Sequence, residues 1–175
     1  MVNRQQSKVN HRSFRVAVLT ISDKASRGQR EDESGNIAVQ LLESNGFSVL
    51  FRDTVPDIAG DIEARLIEWV DREGVSLIIT SGGTGLSPTD VTPQAMENVI
   101  DYQVPGMSEA MRATSMQKTP HAMLSRAIVG VRKSSLIINL PGSPGGVRDN
   151  LSVVLPAIPH ALEKLAGDPS DCATS

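Results

Sequence analysis

The sequence predicts an α/β chain: a three-layer α/β/α sandwich with a mostly parallel sheet and one antiparallel edge hairpin. Three observations carry that prediction. Short β-branched apolar runs alternate with helical stripes, the pattern of strands and crossover helices in a parallel sheet. Two late strands, 126–131 and 136–140, are separated only by Arg132-Lys133-Ser134-Ser135, a spacing that suits a hairpin. Three small-residue loops each follow a strand, at the carboxyl edge where open α/β sheets bind ligands.

The elements follow in order. Phe14 to Ile21 (FRVAVLTI) is the first strand, and Ser22 to Ser34 is a charged, glycine-containing loop. Residues 36–45 form a helix with Ile37, Leu41 and Leu42 on one face and Gly46 as its stop. Phe47 to Phe51 is the second strand. Asp57 to Glu73 has the clearest helical period, because Ile58, Ile62, Leu66, Trp69 and Val70 fall on one stripe before Gly74. Ser76 to Thr80 is the third strand, followed by a glycine turn. A helix capped by Thr92 then opens with Pro93 at its first position. Met107 to Gln117 is a further helix, with Met107, Met111 and Met116 expected as core filler. Residues 146–165 close the fold as a helix interrupted near Pro156 and Pro159. The expected organisation is a flexible N-terminal tail (1–12), a single domain (13–166) and a flexible C-terminal tail (167–175).

Composition narrows the function. The chain of 175 residues is long enough for a real core, with 39% apolar residues. A net charge of −3 provides no basic field for nucleic acid. Aromatics at 3% leave few base-stacking platforms, so nucleic acid is not an expected partner. Cys172 is a lone cysteine, and no Cys/His spacing suggests zinc. His11, His121 and His160 form no cluster. Residues 1–12 lack the apolar run of a signal peptide, and no stretch approaches a membrane span. The expected setting is cytoplasmic, without a membrane.

The segment Thr80 to Gln94 reads TSGGTGLSPTDVTPQ. Gly82, Gly83 and Gly85 let the main chain turn sharply and offer N–H groups to phosphate oxygens. Asp90 then adds negative charge beside an anion site. Carboxylate and phosphate tolerate each other when a cation lies between them, which suggests Mg²⁺. The turn is neither a Walker loop nor a dinucleotide fingerprint, whose third glycine would fall at Pro88. Alternatives stay open residue by residue. Asp90 also fits an Asx turn, Asp57 a helix cap, and Asp23 a turn former. Lys24, Arg27, Arg126 and Arg148 read as solvated charges before they read as phosphate clamps.

At these residues the chain resembles the molybdopterin adenylyltransferase family of molybdenum-cofactor biosynthesis, which includes the G domain of gephyrin. The matching segments are VAVLTISD (16–23), VPD (55–57), GGTG with TDVTPQA (82–95), VPGM (104–107), AMLSR (122–126) and LIINLPGSP (136–144). They run in family order across about residues 14–166. The resemblance implies the family's fold and transfer of AMP from Mg-ATP to the terminal phosphate of molybdopterin. It implies Asp57 and Asp90 as catalytic and metal-holding residues. Nucleotide and phosphate contacts fall to Ser22, Asp23, Gly82, Gly83, Thr84, Gly85, Pro141, Gly142, Ser143 and Pro144. Ser125 and Arg126 are the implied molybdopterin contacts. A homotrimer and a downstream molybdenum-insertase protein are the implied partners. A pterin-binding paralogue with weak or no activity is the competing expectation. Two departures bear on it: Thr89 stands where many relatives carry arginine, and the loop Lys24 to Glu33 is unusually charged.

Overall fold

The structure, a computed structural model, describes residues 14–169. Expectations for residues 1–12, and for the end of the chain with Cys172, lie outside the described residues. The order is β1 (Val16–Ile21), α1 (Asp23–Ser26), α2 (Glu33–Ser44), β2 (Val49–Val55), α3 (Ala59–Asp71) and β3 (Leu77–Ser81). Then come α4 (Thr92–Val99), β4 (Tyr102–Gln103), α5 (Pro105–Met116), β5 (Val129–Arg132), β6 (Ser135–Leu140), α6 (Pro144–Val154) and α7 (Ile158–Leu165). Short 3₁₀ turns occupy Pro120–Leu124 and Leu155–Ala157.

Strand alternation builds the layers. Side chains of a strand point to opposite faces in turn, so a strand apolar throughout is covered on both sides. Val16, Val18, Leu77, Ile79, Leu136 and Ile138 pack with Ala38, Leu42, Leu151 and Ile158 from α2, α6 and α7. Ala17, Leu19, Ile78 and Ile137 pack on the other face with Ile62, Leu66, Trp69, Met96 and Val99 from α3 and α4. The sheet order is β2-β1-β3-β6-β5-β4. The first three pairings are parallel and the last two antiparallel. The fold is the three-layer sandwich with an antiparallel edge.

Several boundaries differ from expectation for identifiable reasons. The charged loop after β1 is partly helical. Ser22 Oγ accepts from Ala25 N (3.3 Å) to start α1, and Asp32 Oδ1 accepts from Gly35 N (2.8 Å) to start α2. The second strand runs on through the charged residues Arg52 and Asp53 to Val55, because it lies along β1 at the sheet edge. Thr92 is helical, with Val91 in the cap position. Met111 and Met107 join the core, whereas Met116 is exposed. Strand β4 is two residues long and carried no period-2 signal.

The tip of the β5–β6 hairpin is fastened to α3. Arg132 donates to Asp71 through Nε (3.0 Å) and Nη2 (2.7 Å), and Lys133 Nζ lies 2.9 Å from Asp71 Oδ1. These two cations hold the Asp71 carboxyl at a pKa of about 2. A depressed carboxylate stabilises the fold above its unfolded value of 3.8, and that contribution disappears as pH falls towards 2. Asp71→Asn is expected to lower stability at pH 7 by about 1 kcal/mol or less, as for partly exposed ion pairs. The difference from wild type should shrink between pH 4 and pH 2, as read by urea unfolding across that range.

Candidate active site

The three central strands turn polar as they reach the carboxyl edge of the sheet. Thr20 is the last but one residue of β1, Thr80 and Ser81 close β3, and Asn139 stands near the end of β6, all buried. The register sets Thr20 beside Ser81 and Thr80 beside Asn139. Asn139 Nδ2 donates to Thr80 Oγ1 (2.9 Å), while Ser81 Oγ and Asn139 Oδ1 have no protein partner. Buried polar atoms are costly when unpaired, so this band marks where the sheet stops being only a core.

The glycine turn leaves β3 at this edge. Gly82 (φ 114°) and Gly83 (φ 62°) adopt backbone conformations that side chains disfavour. A Cβ on Gly82 would stand 2.1 Å from the Ile21 carbonyl oxygen, and one on Gly83 2.3 Å from Thr92 Oγ1. The carbonyls of Gly83, Thr84 and Gly85 are engaged by protein donors. Gly83 O accepts from Thr92 N (3.2 Å), Thr84 O from Arg126 N (2.9 Å) and Gly85 O from Arg126 Nε (2.8 Å). Arg126 Nη2 also donates to Asp90 O. The Gly82 N–H is taken by Leu140 O (3.1 Å) and is no phosphate donor. Those of Gly83, Thr84 and Gly85 meet no acceptor among the described residues. The turn is therefore one-sided, with carbonyls tied down and three N–H groups left for a ligand.

Acids surround it. Asp57 Oδ2 accepts from the Asp23 N–H (2.8 Å), and Asp23 Oδ1 accepts from the Asp57 N–H (3.2 Å). This reciprocal pair joins α1 to the segment before α3. Asp57 makes no side-chain cap to α3. Burial pushes the Asp57 carboxyl above its ordinary range, the Asp23 N–H partly offsets this, and the charges of Asp23 and Asp90 raise it further. Asp90 Oδ2 accepts from Ser87 N (2.9 Å), three residues back, while the Thr92 N–H goes to Gly83 O, so Asp90 forms no Asx turn into the helix.

Two cavities open on either side of the glycine turn. One, of about 330 Å³, is lined by Ser22, Asp57, Ser81, Gly82, Gly83 and Ser143 among others. The other, of about 440 Å³, is lined by Thr84, Gly85, His121, Ser125, Pro141 and Ser143 among others. Ser143 faces both, and its Oγ caps α6 by accepting from Gly146 N (3.1 Å). The first cavity has a fastened outer wall at residues 30–34. Asp32 Oδ2 accepts from Thr20 Oγ1 (2.8 Å) and from Arg52 Nη2 (2.8 Å), and Ser34 Oγ donates to Gly142 O (2.7 Å).

A family described as "Probable molybdopterin binding domain" matches residues 17–160. The chain belongs to this molybdopterin-binding family. It is 40% identical to a molybdopterin adenylyltransferase of Helicobacter pylori, over 89% of this chain and 90% of that protein. It is also 40% identical to gephyrin of Dictyostelium discoideum, over 96% of this chain but only 25% of that protein. The solved structure of the molybdopterin biosynthesis enzyme MoaB from Thermus thermophilus superposes with a TM-score of 0.84 at 47% identity. That match covers 90% of this chain and 99% of the other.

In this molybdopterin-binding domain the residues singled out from sequence distribute unevenly. Ser22, Asp57, Gly82, Gly83, Gly142, Ser143 and Pro144 line the smaller cavity, and Thr84, Gly85, Ser125, Pro141 and Ser143 the larger. Asp23 lines neither and acts on Asp57. Arg126 lines a third hollow behind the turn and grips the turn's carbonyls. Asp90 sits against Gly85, where a Cβ would come within 2.8 Å of its Oδ2. Sequence reasoning passed over Thr20, Ser81, Asp32 and Ser34. A signal for the first two was present: both apolar strands carry hydroxyl residues within their last two positions.

Gly82→Ala is expected to cost about 1–3 kcal/mol, because a side chain there meets fixed backbone; thermal or urea unfolding measures it. Asp57 gives the opposite sign. Its raised pKa means that its charge opposes folding once pH exceeds its folded value, an effect absent below the ordinary 3.8. Asp57→Asn should therefore raise the melting temperature of the ligand-free protein at pH 7, with the gain vanishing below pH 4.

Proposed function

We propose that this chain is a molybdopterin adenylyltransferase, moving AMP from ATP to the terminal phosphate of molybdopterin and releasing pyrophosphate. One observation carries the reading: two cavities meet across a single glycine turn whose free N–H groups serve both sides. Nucleotide occupies the smaller cavity, beside Asp57 and the end of β3. Pterin occupies the larger, beside Ser125 and the start of α6. The names of the relatives point to the same chemistry.

The step joins two anions. A phosphate oxygen of molybdopterin attacks the α-phosphorus of ATP, a new P–O–P bond forms, and the bond to pyrophosphate breaks. Such transfers need positioning and charge neutralisation more than covalent help from the protein. The N–H groups of Gly83, Thr84 and Gly85 are fixed in place by carbonyls already bonded, so they require little reorganisation when negative charge moves. Ser143, facing both cavities at the N-terminus of α6, frames the junction where the two phosphates meet.

Mg²⁺ fits this site as a partner carried with the nucleotide. No group of three or more His, Cys, Asp or Glu side chains able to hold a metal exists among the described residues. Magnesium that takes most of its ligands from phosphates and water needs only one or two carboxylates. Asp57 and Asp90 are the residues that would hold it, and the mutual repulsion at Asp57 favours a cation there. Bound, the ion neutralises phosphate charge. Asp23 keeps the Asp57 carboxylate turned into the cavity.

The same reading includes a homotrimer, a cytoplasmic setting and an insertase protein that receives the adenylylated pterin. Among the described residues no helix is long and apolar enough to cross a membrane.

The deciding measurement is pyrophosphate release from Mg-ATP with and without molybdopterin. Wild type should release it only with the pterin. Asp90→Asn should slow release by about 10²–10³-fold while molybdopterin binding persists. Pterin binding without any pyrophosphate release from wild type would instead mark a non-catalytic pterin-binding protein.

A further inference from the structure

We infer that Arg30 binds the polyphosphate tail of the nucleotide, presented over the smaller cavity by the wall that Asp32 and Ser34 fasten to the sheet. The inference rests on nucleotide occupying that cavity, as proposed above. Four acids line it, namely Glu31, Asp32, Glu33 and Asp57, and Arg30 is the sole lysine or arginine among the lining residues. Three nearby arginines are committed elsewhere, and Lys24 on α1 is not among the lining residues. Arg52 pairs with Asp32 at 2.8 Å, Arg27 lies 3.9 Å from Asp23, and Arg126 grips the turn carbonyls. The Arg30 side chain makes no hydrogen bond or ion pair with any described residue.

Charge then decides the role. Arg52 neutralises Asp32, which leaves Glu31, Glu33 and Asp57 without a cation of their own. A triphosphate entering such a cavity meets like charge on several sides, and so does pyrophosphate as it forms. Arginine's planar fork suits phosphate oxygens, which it can engage with two parallel hydrogen bonds. The backbone carrying it is held rather than loose. Asp32, two residues on, is bonded to Thr20 on β1 and Arg52 on β2, and Ser34 is bonded to Gly142. Packing at the wall is close enough that a Cβ on Gly35 would stand 2.1 Å from Asp32 Oδ2 and 2.7 Å from Thr20 Oγ1.

The test is calorimetric titration of the full chain, in magnesium buffer, with ATP, pyrophosphate, adenosine and molybdopterin. Arg30→Met keeps most of the side-chain length without the charge, and Arg30→Lys keeps the charge without the fork. Arg30→Met should lose roughly tenfold in affinity for ATP and for pyrophosphate. Adenosine and molybdopterin affinities and the melting temperature should stay at wild-type values, and the ATP deficit should narrow as salt rises. Arg30→Lys should fall between the two. An Arg30→Met protein that binds ATP and pyrophosphate as wild type does overturns the assignment. So does one that loses adenosine in equal proportion, which would place the guanidinium on the base. Wild-type protein that takes up no ATP at all overturns the underlying reading as well, a result distinct from either.

Discussion

The site depends on how one turn's backbone is divided. In most turns N–H and carbonyl groups alternate in what they face, and a ligand meets both signs of partial charge. Here Arg126 and the N–H of Thr92 hold the carbonyls of Gly83, Thr84, Gly85 and Asp90 on one side. The remaining N–H groups of residues 83–85 form an electropositive edge without any basic side chain in the turn itself. Glycine makes this possible sterically, and the arginine makes it stable. An anion that arrives finds dipoles already oriented, the condition under which electrostatic assistance is strongest.

The acids around the turn oppose that edge and complete it. Asp57 is held by the Asp23 N–H while Asp23 is held by the Asp57 N–H, so each carboxylate gains one donor and suffers the other's charge. The ligand-free arrangement keeps like charges close together. A cation placed there would relieve it. On the function proposed above, stability and activity pull in opposite directions at Asp57.

Much of this was legible in the sequence, though unequally. The layered fold follows from strands apolar on both faces and helices apolar on one, and those patterns are local. The glycine turn and the loop at Pro141–Pro144 were visible as small residues placed after strands. The start of α2 was missed because its cap, Asp32, sits inside a run of charges that reads as solvated loop. Arg126 read either as a phosphate contact or as a free charge, yet its partners are carbonyls far back in the chain, that of Gly85 standing 41 positions earlier. No one-dimensional pattern encodes that.

Local chemistry thus settled by itself the types of the longer strands and helices, the two-sided burial of the central strands and the presence of a glycine turn at the carboxyl edge of the sheet. Periodicity and backbone sterics act over a few residues, so a linear reading recovers them. Tertiary structure alone decided which acids face one another, which side of the turn is electropositive, and that Ser143 stands between two cavities. Those outcomes arise from through-space electrostatics and hydrogen bonding between segments that only the closed sheet brings together.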